Sequence, residues 1–174
     1  MIFDCRRKNF PTDGAFPMIN IPFNLNDQII DKLNDLIRVN IDSCKGFKEA
    51  SEIVDDEQIS AEFRGLAQQR LANAEELKRY VEFDDEMAQS SGSASGAVHR
   101  WWMELRSRAT GGDPSVVLSE AERGEDVITH EYQDALNETA GSPVNEILLR
   151  QYIAVKKGHD HVKALRDAAK ADRR

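Results

Sequence analysis

Four stretches of the chain place apolar residues at steps of three and four, which predicts four long amphipathic helices. The turn at Asp55-Asp56 joins the first two stretches, and residues 137–142 join the last two, with Gly141 as a helix terminator. Helices joined by so few residues pack as antiparallel neighbours. The predicted helices cover residues 27–54, 57–83, 114–136 and 143–169.

About thirty residues separate the second helix from the third, and they include a Gly- and Ser-rich stretch. A short amphipathic helix is predicted within this connection, over residues 96–109. Two antiparallel hairpins joined by one long crossover is the connectivity of ferritin-like bundles. We therefore predict an all-α fold, a ferritin-like four-helix bundle over residues 25–170.

The two ends of the chain lack helical periodicity. Residues 1–24 hold three of the five prolines and are predicted to form an irregular arm. Because the arm contains Met18, translation could start there or at Met1. Residues 171–174 are predicted to be a frayed basic tail.

A polar residue interrupts the apolar stripe of each predicted helix near its middle. Because mid-helix positions of an antiparallel bundle come to one level, these residues predict a polar layer across the core. A carboxylate in that layer needs a cation, a metal or a proton. We expect Arg70 to pair with Glu125, and the other members to complete the hydrogen bonds. The predicted layer consists of Asn40, Arg70, Glu125, Gln151 and His159.

A metal site is the alternative interpretation of the same layer, with iron or another divalent ion as the cofactor. Ferritin-like di-metal sites take a carboxylate from each of two helices and Glu-x-x-His from each of the other two. Neither His130 nor His159 follows a glutamate by three residues, and Arg70 would repel a metal pair. We therefore predict no cofactor. The candidate ligands in the alternative interpretation are Glu122, Glu125, His130 and His159.

The predicted short helix carries two adjacent tryptophans beside a basic residue, namely Trp101, Trp102 and Arg100. Because only one of the two rings can be buried well against the bundle, the other is available for a dimer contact or for covering a bundle end. We expect protein–protein contact, in the form of a homodimer. A small-molecule pocket near the tryptophans and the bundle end is a further possibility.

Composition narrows the class of partner. The chain has 31 acidic and 23 basic residues and a formal charge of −8, which argues against nucleic-acid binding. No apolar run approaches the roughly 18 residues that span a membrane, so no membrane association is expected. Only two cysteines, Cys5 and Cys44, occur and they are far apart, which favours a reduced, cytoplasmic protein.

Several short patterns resemble a bacterial family of ferritin-like four-helix-bundle proteins of unknown function. The resemblance covers about residues 28–168 and implies a ferritin-like bundle with a stress-associated role and no established activity. The residues that carry it are Leu33-Asn34-Asp35-Leu36-Ile37, Gly46-Phe47, Arg70, Gly92-Ser93 with Gly96 and His99-Arg100-Trp101, Glu122-Arg123-Gly124-Glu125-Asp126, and His159-Asp160.

The sequence contains no Gly-rich phosphate loop, nucleophile elbow or Cys-x-x-Cys pair. We therefore expect a non-enzymatic protein with a structural, interaction or stress-associated role. A metal-binding ferritin-like protein of the di-iron type, acting as an oxidase or in iron handling, is the alternative.

Overall fold

The computed structural model describes residues 25–81 and 111–171. Every regular element within these residues is an α-helix, so the prediction of an all-α chain is confirmed. The predicted arm, the predicted short helix and the last three residues of the tail lie outside the described residues. The helices are α1 (Asp27–Ile53), α2 (Glu57–Leu77), α3 (Pro114–Glu138) and α4 (Asn145–Ala171).

Side-chain caps fix where three of these helices begin. The Asn26 carboxamide accepts a hydrogen bond from the Ile29 amide at 2.9 Å, and the Asp56 carboxylate accepts one from the Ile59 amide at 2.9 Å. Asp113 does the same for the amide of Ser115 at 3.0 Å. Each contact satisfies one of the backbone amides that a helix start leaves without a partner.

The observed helix boundaries lie within two residues of the predicted ones except at the end of α2. Helix α2 ends at Leu77 rather than near residue 83, because the amides of Arg79 and Tyr80 bond carbonyls three residues back and tighten the final turn. Helix α4 begins at Asn145, two residues after Pro143, and the Asn145 side chain donates to the Leu136 carbonyl at 2.9 Å across the turn from α3.

The four helices form two antiparallel hairpins. Helix α1 packs against α2 and α3, and α4 packs against α3 and α2, so α2 and α3 face each other across the core. The Lys32–Glu138 contact, at 3.0 Å, joins the start of α1 to the end of α3. The Arg150–Glu76 contact, at 2.6 Å, joins the start of α4 to the end of α2. Helices α2 and α3 therefore run parallel.

The turn between α1 and α2 is tied to the start of α3 through Gly112. The Asp55 amide donates to the Gly112 carbonyl at 2.8 Å. Gly112 has a φ of +65°, and a Cβ there would lie 2.8 Å from the Ile53 carbonyl oxygen. Glycine is therefore required by both the backbone conformation and the close approach.

Apolar side chains fill the space between the helices. The largest of those that are almost fully buried are Leu33, Leu36, Ile37, Phe47, Phe63, Leu77, Leu118, Ile128 and Leu148. Two charged side chains, Arg70 and Glu125, lie in the same interior with no exposed surface. They are the feature of the core that simple apolar packing does not explain.

Candidate functional site

A charge pair crosses the core from α2 to α3. Arg70 Nη2 lies 2.7 Å from Glu125 Oε1 and 2.5 Å from Glu125 Oε2. The second guanidinium nitrogen, Nη1, donates to the side chain of Gln69 at 2.7 Å. One nitrogen therefore serves both carboxylate oxygens, rather than two nitrogens forming a parallel fork. The pair predicted from the sequence is present, and the charge of Glu125 is neutralised by the protein's own cation.

The neighbouring helices shape the space around the Arg70–Glu125 pair. The ring of Phe47, on α1, lies 6.0 Å from the Arg70 guanidinium carbon and packs against Phe63 with ring centroids 5.7 Å apart. On α4, a Cβ at Gly158 would lie 3.3 Å from Glu125 Oε2 and 3.4 Å from Arg70 Nη2. The absence of a side chain at Gly158 therefore lets α4 pack directly over the charge pair.

A second polar network surrounds the buried hydroxyl of Tyr132. Asn40 Nδ2 donates to this hydroxyl at 2.8 Å, and the hydroxyl donates to Gln151 Oε1 at 2.9 Å. Gln151 Nε2 continues the network to Glu76 Oε2 at 2.8 Å. Burial raises the pKa of Tyr132, more than the hydrogen bond from Asn40 lowers it, so the hydroxyl remains a proton donor at neutral pH.

The polar residues lie at two levels, whereas the sequence predicts one. Glu125 and Tyr132 are seven residues apart on α3, which is about 10 Å along the helix axis. Helix α1 places Phe47 against Arg70, and it places Asn40 against Tyr132. The single predicted layer is therefore wrong. Asn40 of α1 and Gln151 of α4 lie at the height of Tyr132, whereas Phe47 and Gly158 are the residues of those two helices that meet the Arg70–Glu125 pair.

Tyr132 is a polar-network residue that is absent from the predicted polar layer. Its ring does occupy a core position, and its hydroxyl requires a partner there. The signal that could have identified it is the buried tyrosine itself, since a phenylalanine would fill the same stripe without a polar group. Asn73 and Glu76 join the network through Gln151, at 3.3 Å and 2.8 Å.

His159 does not join the core polar residues. Its Nε2 lies 2.9 Å from Asp126 Oδ1, and its Nδ1 lies 3.0 Å from Asp160 Oδ1. Its side chain is 16% exposed, at the seam between α3 and α4. The hydrogen bond with His159 holds the pKa of the Asp160 carboxyl below its usual value. The prediction that His159 belongs to the core layer is therefore wrong, because its side chain lies at the seam between α3 and α4 and contacts two surface carboxylates.

The three carboxylates in the Glu-Arg-Gly-Glu-Asp motif of α3 each contact a different cationic or imidazole side chain. Glu122 pairs with Arg166 of α4, Glu125 with Arg70, and Asp126 with His159. The motif thus connects α3 to both α2 and α4 within a single helical turn.

The four candidate metal ligands do not converge. Glu122, Glu125 and His159 have the separate partners just described, and His130 is 71% exposed and faces Asp134 at 3.4 Å. Among residues 25–81 and 111–171, no three metal-ligating side chains form a group that could hold an ion. The donor set in the core, one carboxylate against a guanidinium, does not fit a di-metal centre.

The candidate interface residues Trp101, Trp102 and Arg100 lie outside the described residues. None of the described helices combines the length and the apolar character that crossing a membrane requires.

A family described as a domain of unknown function, DUF2383, matches residues 28–138. The chain belongs to this family. The DUF2383 match includes both Arg70 and Glu125, whereas α4, which supplies Gly158 and Gln151, lies beyond it. A search of curated proteins finds none that matches the chain.

Proposed function

We propose that this DUF2383 protein is a non-enzymatic, ferritin-like four-helix bundle with a structural or protein-interaction role. The Arg70–Glu125 pair takes the place that a di-metal site has in ferritin-like oxidases. The observation that carries the proposal is that one guanidinium nitrogen contacts both Glu125 oxygens in the core. The two antiparallel hairpins, with α2 and α3 parallel, support the ferritin-like assignment.

The chemistry of the Arg70–Glu125 pair supports a structural rather than a catalytic role. A divalent ion at Glu125 would have to displace the cationic guanidinium that already contacts both carboxylate oxygens. The residue of α4 that faces the pair is Gly158, which has no side chain to act as a ligand, and the neighbouring His159 is turned to Asp126. The charge pair instead links helices on opposite sides of the core, which fixes their register.

The proposal also includes the kind of organism and the cellular compartment. The resemblance to bacterial ferritin-like proteins supports a stress-associated role in a bacterium. The thiol of Cys44 is free and buried, which is in keeping with the reducing cytoplasm expected from the small number of cysteines.

Metal analysis of protein purified without chelators tests the non-enzymatic proposal. We expect wild-type protein and the Glu125→Gln variant to contain equally little iron, zinc and manganese, also after incubation with ferrous iron under nitrogen. Glu146→Gln, at an exposed position in the first turn of α4, is the matched control. About two metal ions per chain in the wild type, lost in Glu125→Gln and kept in Glu146→Gln, would establish the di-iron alternative instead.

We further propose that the protein is a homodimer and that the face formed by α2 and α4 is its interface. The large apolar side chains that are exposed among the described residues are Leu71, Leu149 and Ile153, at 42%, 47% and 47%. Because Gln151 meets Asn73 in this antiparallel pair, Ile153 lies at the height of Leu71.

Charges of both signs flank this apolar face. Glu76 and Arg150 lie toward one end of it, and Lys156 and Asp160 toward the other. A second copy can therefore match acidic groups to basic ones while both copies bury the same apolar side chains, as a two-fold interface requires.

Sedimentation velocity over a range of concentrations tests the dimer. We expect the wild type to dimerise and Leu149→Glu/Ile153→Glu to remain monomeric with unchanged helical content. The control Lys48→Glu, at an exposed position on α1, should dimerise like the wild type. A wild type that is monomeric throughout, or a double variant that dimerises equally well, would refute this interface.

A further inference from the structure

The ring of His159 is engaged differently from those of the other two histidines in the described part of the chain. Both of its nitrogens lie against carboxylate oxygens, Nε2 at 2.9 Å from Asp126 Oδ1 and Nδ1 at 3.0 Å from Asp160 Oδ1. His130 and His161 each meet a carboxylate through Nε2. The His159 side chain is also the least exposed of the three.

Two protons are needed to satisfy the two contacts of His159. An ionised carboxylate can only accept hydrogen bonds, so each ring nitrogen that faces one has to carry a proton. A neutral imidazole has a single N–H group, and one contact would then set a nitrogen lone pair against a carboxylate oxygen. Both contacts are therefore favourable only if the ring is an imidazolium or if one of the carboxyl groups is protonated.

The two carboxyl groups that face His159 favour their ionised forms. The hydrogen bond with His159 lowers the pKa of Asp160, and Lys156 lowers it further by donating to both carboxylate oxygens at 3.4 Å. The Asp126 side chain is exposed, so water stabilises its charged form. The second proton therefore belongs to the imidazole.

The other charged groups around the His159 ring, on α2, α3 and α4, have partners of their own. These pairs are Glu122 with Arg166, Glu125 with Arg70, Glu120 with Arg123, Lys156 with Asp160, and Glu62 with His161. Asp126 and Asp160 are therefore the charges that act most directly on the ring.

We propose that His159 is an imidazolium cation in the folded protein and joins α3 to α4 by donating to Asp126 and Asp160 at once. It holds α4 against α3 directly beside Gly158, where α4 packs over the charge pair. Folding then favours the protonated ring. The contact therefore stabilises the protein below about pH 6.5, where an isolated histidine is charged, and is lost as the pH rises and the folded protein releases the proton.

Nitrogen-15 NMR of the histidine side chains tests the charge state. The two ring nitrogens of an imidazolium have similar chemical shifts, whereas those of a neutral imidazole differ widely. At pH 7.5 we expect similar shifts for His159 in the wild type. We expect separated shifts in Asp126→Asn, which keeps the size of the side chain but removes its charge. The His159 signals are assigned by their loss in His159→Gln.

Asp134→Asn is the matched control for the NMR measurement, because Asp134 is also on α3 and contacts a different histidine, His130. This variant should leave the His159 shifts unchanged. Separated shifts for His159 in the wild type at pH 7.5 would overturn the proposal. An imidazolium that persists in Asp126→Asn would overturn the link to α3.

Thermal unfolding tests the consequence for stability. Between pH 6 and pH 9 we expect the melting temperature of the wild type to fall toward that of His159→Gln, because the imidazolium is lost over this range. His161→Gln, at an exposed position two residues further along α4, should show a smaller change relative to the wild type. A difference between the wild type and His159→Gln that is as large at pH 9 as at pH 6 would contradict the proposal.

Discussion

Arg70 carries a cationic guanidinium, and burying a charge requires a partner of opposite charge. Glu125 provides that partner from the opposite side of the core. Removing two charges from water costs several kcal/mol each, and their mutual attraction offsets this only when both are present. The energetics of the pair therefore depend on both residues together.

Arg70→Ala should destabilise the protein by about 3–5 kcal/mol, because it leaves Glu125 buried without a cation. Urea unfolding followed by circular dichroism at 222 nm measures the change. Replacing the pair with apolar residues, Arg70→Met/Glu125→Leu, should cost much less. If the single variant were as stable as the double, the attraction between the two side chains would contribute nothing to folding.

Gly158→Ala should destabilise the protein by about 1–3 kcal/mol, even though alanine favours helix by about 1 kcal/mol over glycine. The added Cβ would lie 2.9 Å from Leu66 Cδ2 and within 3.4 Å of both charged side chains. Leu66 can move, but Arg70 and Glu125 are held by each other.

Gly65→Ala, on α2, is the matched control, because a Cβ there has no heavy atom within 4 Å. It should stabilise the protein by up to about 1 kcal/mol in the same urea titration. Equal stabilisation by both substitutions would show that α4 does not pack over the charge pair as described.

At the scale of the elements, the caps and turns decide where each helix starts and how hairpins meet. Asn26, Asp56 and Asp113 fix three starts through local hydrogen bonds. The contact between Asp55 and Gly112 is different, because it joins the turn of the first hairpin to the start of the second.

Gly112→Ala should therefore destabilise the protein more than Gly141→Ala. Both positions have positive φ, which costs alanine about 1–2 kcal/mol. Only at Gly112 would the Cβ also meet a backbone oxygen, that of Ile53 at 2.8 Å. Thermal unfolding of the two variants measures the difference, and Gly111→Ala, which has open space and no positive φ, should be nearly neutral. Equal losses at positions 112 and 141 would argue against the tie between the hairpins.

At the scale of the whole molecule, two carboxylates at helix interfaces, Glu76 and Glu131, make the free energy of unfolding depend on pH in opposite directions. Partial burial would raise the pKa of Glu76, but hydrogen bonds from Arg150 and Gln151 outweigh it and hold the pKa below 4.5. Burial raises the pKa of Glu131 above 4.5, and Lys32 only partly offsets it. Folding therefore favours the ionised form of Glu76 and the protonated form of Glu131.

Glu76→Gln should lower the free energy of unfolding at pH 7 by up to about 1 kcal/mol, since the exposed Arg150 is screened by water. The stabilisation from Glu76 is present above pH 4.5 and is lost as the pH falls through its lowered pKa. The difference between variant and wild type should therefore disappear in acid. Urea titrations between pH 3 and pH 8 measure it, and a difference that persists at pH 3 would contradict the assignment.

Glu131→Gln should have the opposite effect and raise the free energy of unfolding at pH 7. The folded protein is destabilised by ionisation of Glu131 only as the pH rises above 4.5 and through the raised pKa. Below pH 4.5 the carboxyl is protonated in both states, so Glu131→Gln should not stabilise the protein there. Glu52→Gln, at an exposed position of α1, is the control for both variants and should show neither trend. A destabilised Glu131→Gln at pH 7 would show that the attraction between Glu131 and Lys32 outweighs the cost of burial.

The order of apolar and polar residues along the chain determined the four helices, their pairing into hairpins and the contact between Arg70 and Glu125. Helical periodicity identifies which residues face the core, and a buried charge in one stripe requires the opposite charge in another. The candidate metal ligands of α3 and α4 could be recognised by residue type, but the sequence did not show whether their side chains come together.

Only the tertiary structure decided the heights at which residues of different helices meet. Periodicity gives the direction of a side chain around its helix axis, whereas the relative position of two helices along that axis depends on turns and packing. The relative heights of the helices separate Asn40 and Gln151 from the Arg70–Glu125 pair. They place the hydroxyl of Tyr132 between Asn40 and Gln151. They also set Gly158 against the two charged side chains. The position of His159 is a matter of direction rather than height, because one residue along α4 from Gly158 turns a side chain by more than a quarter of a turn, from the interior to the seam.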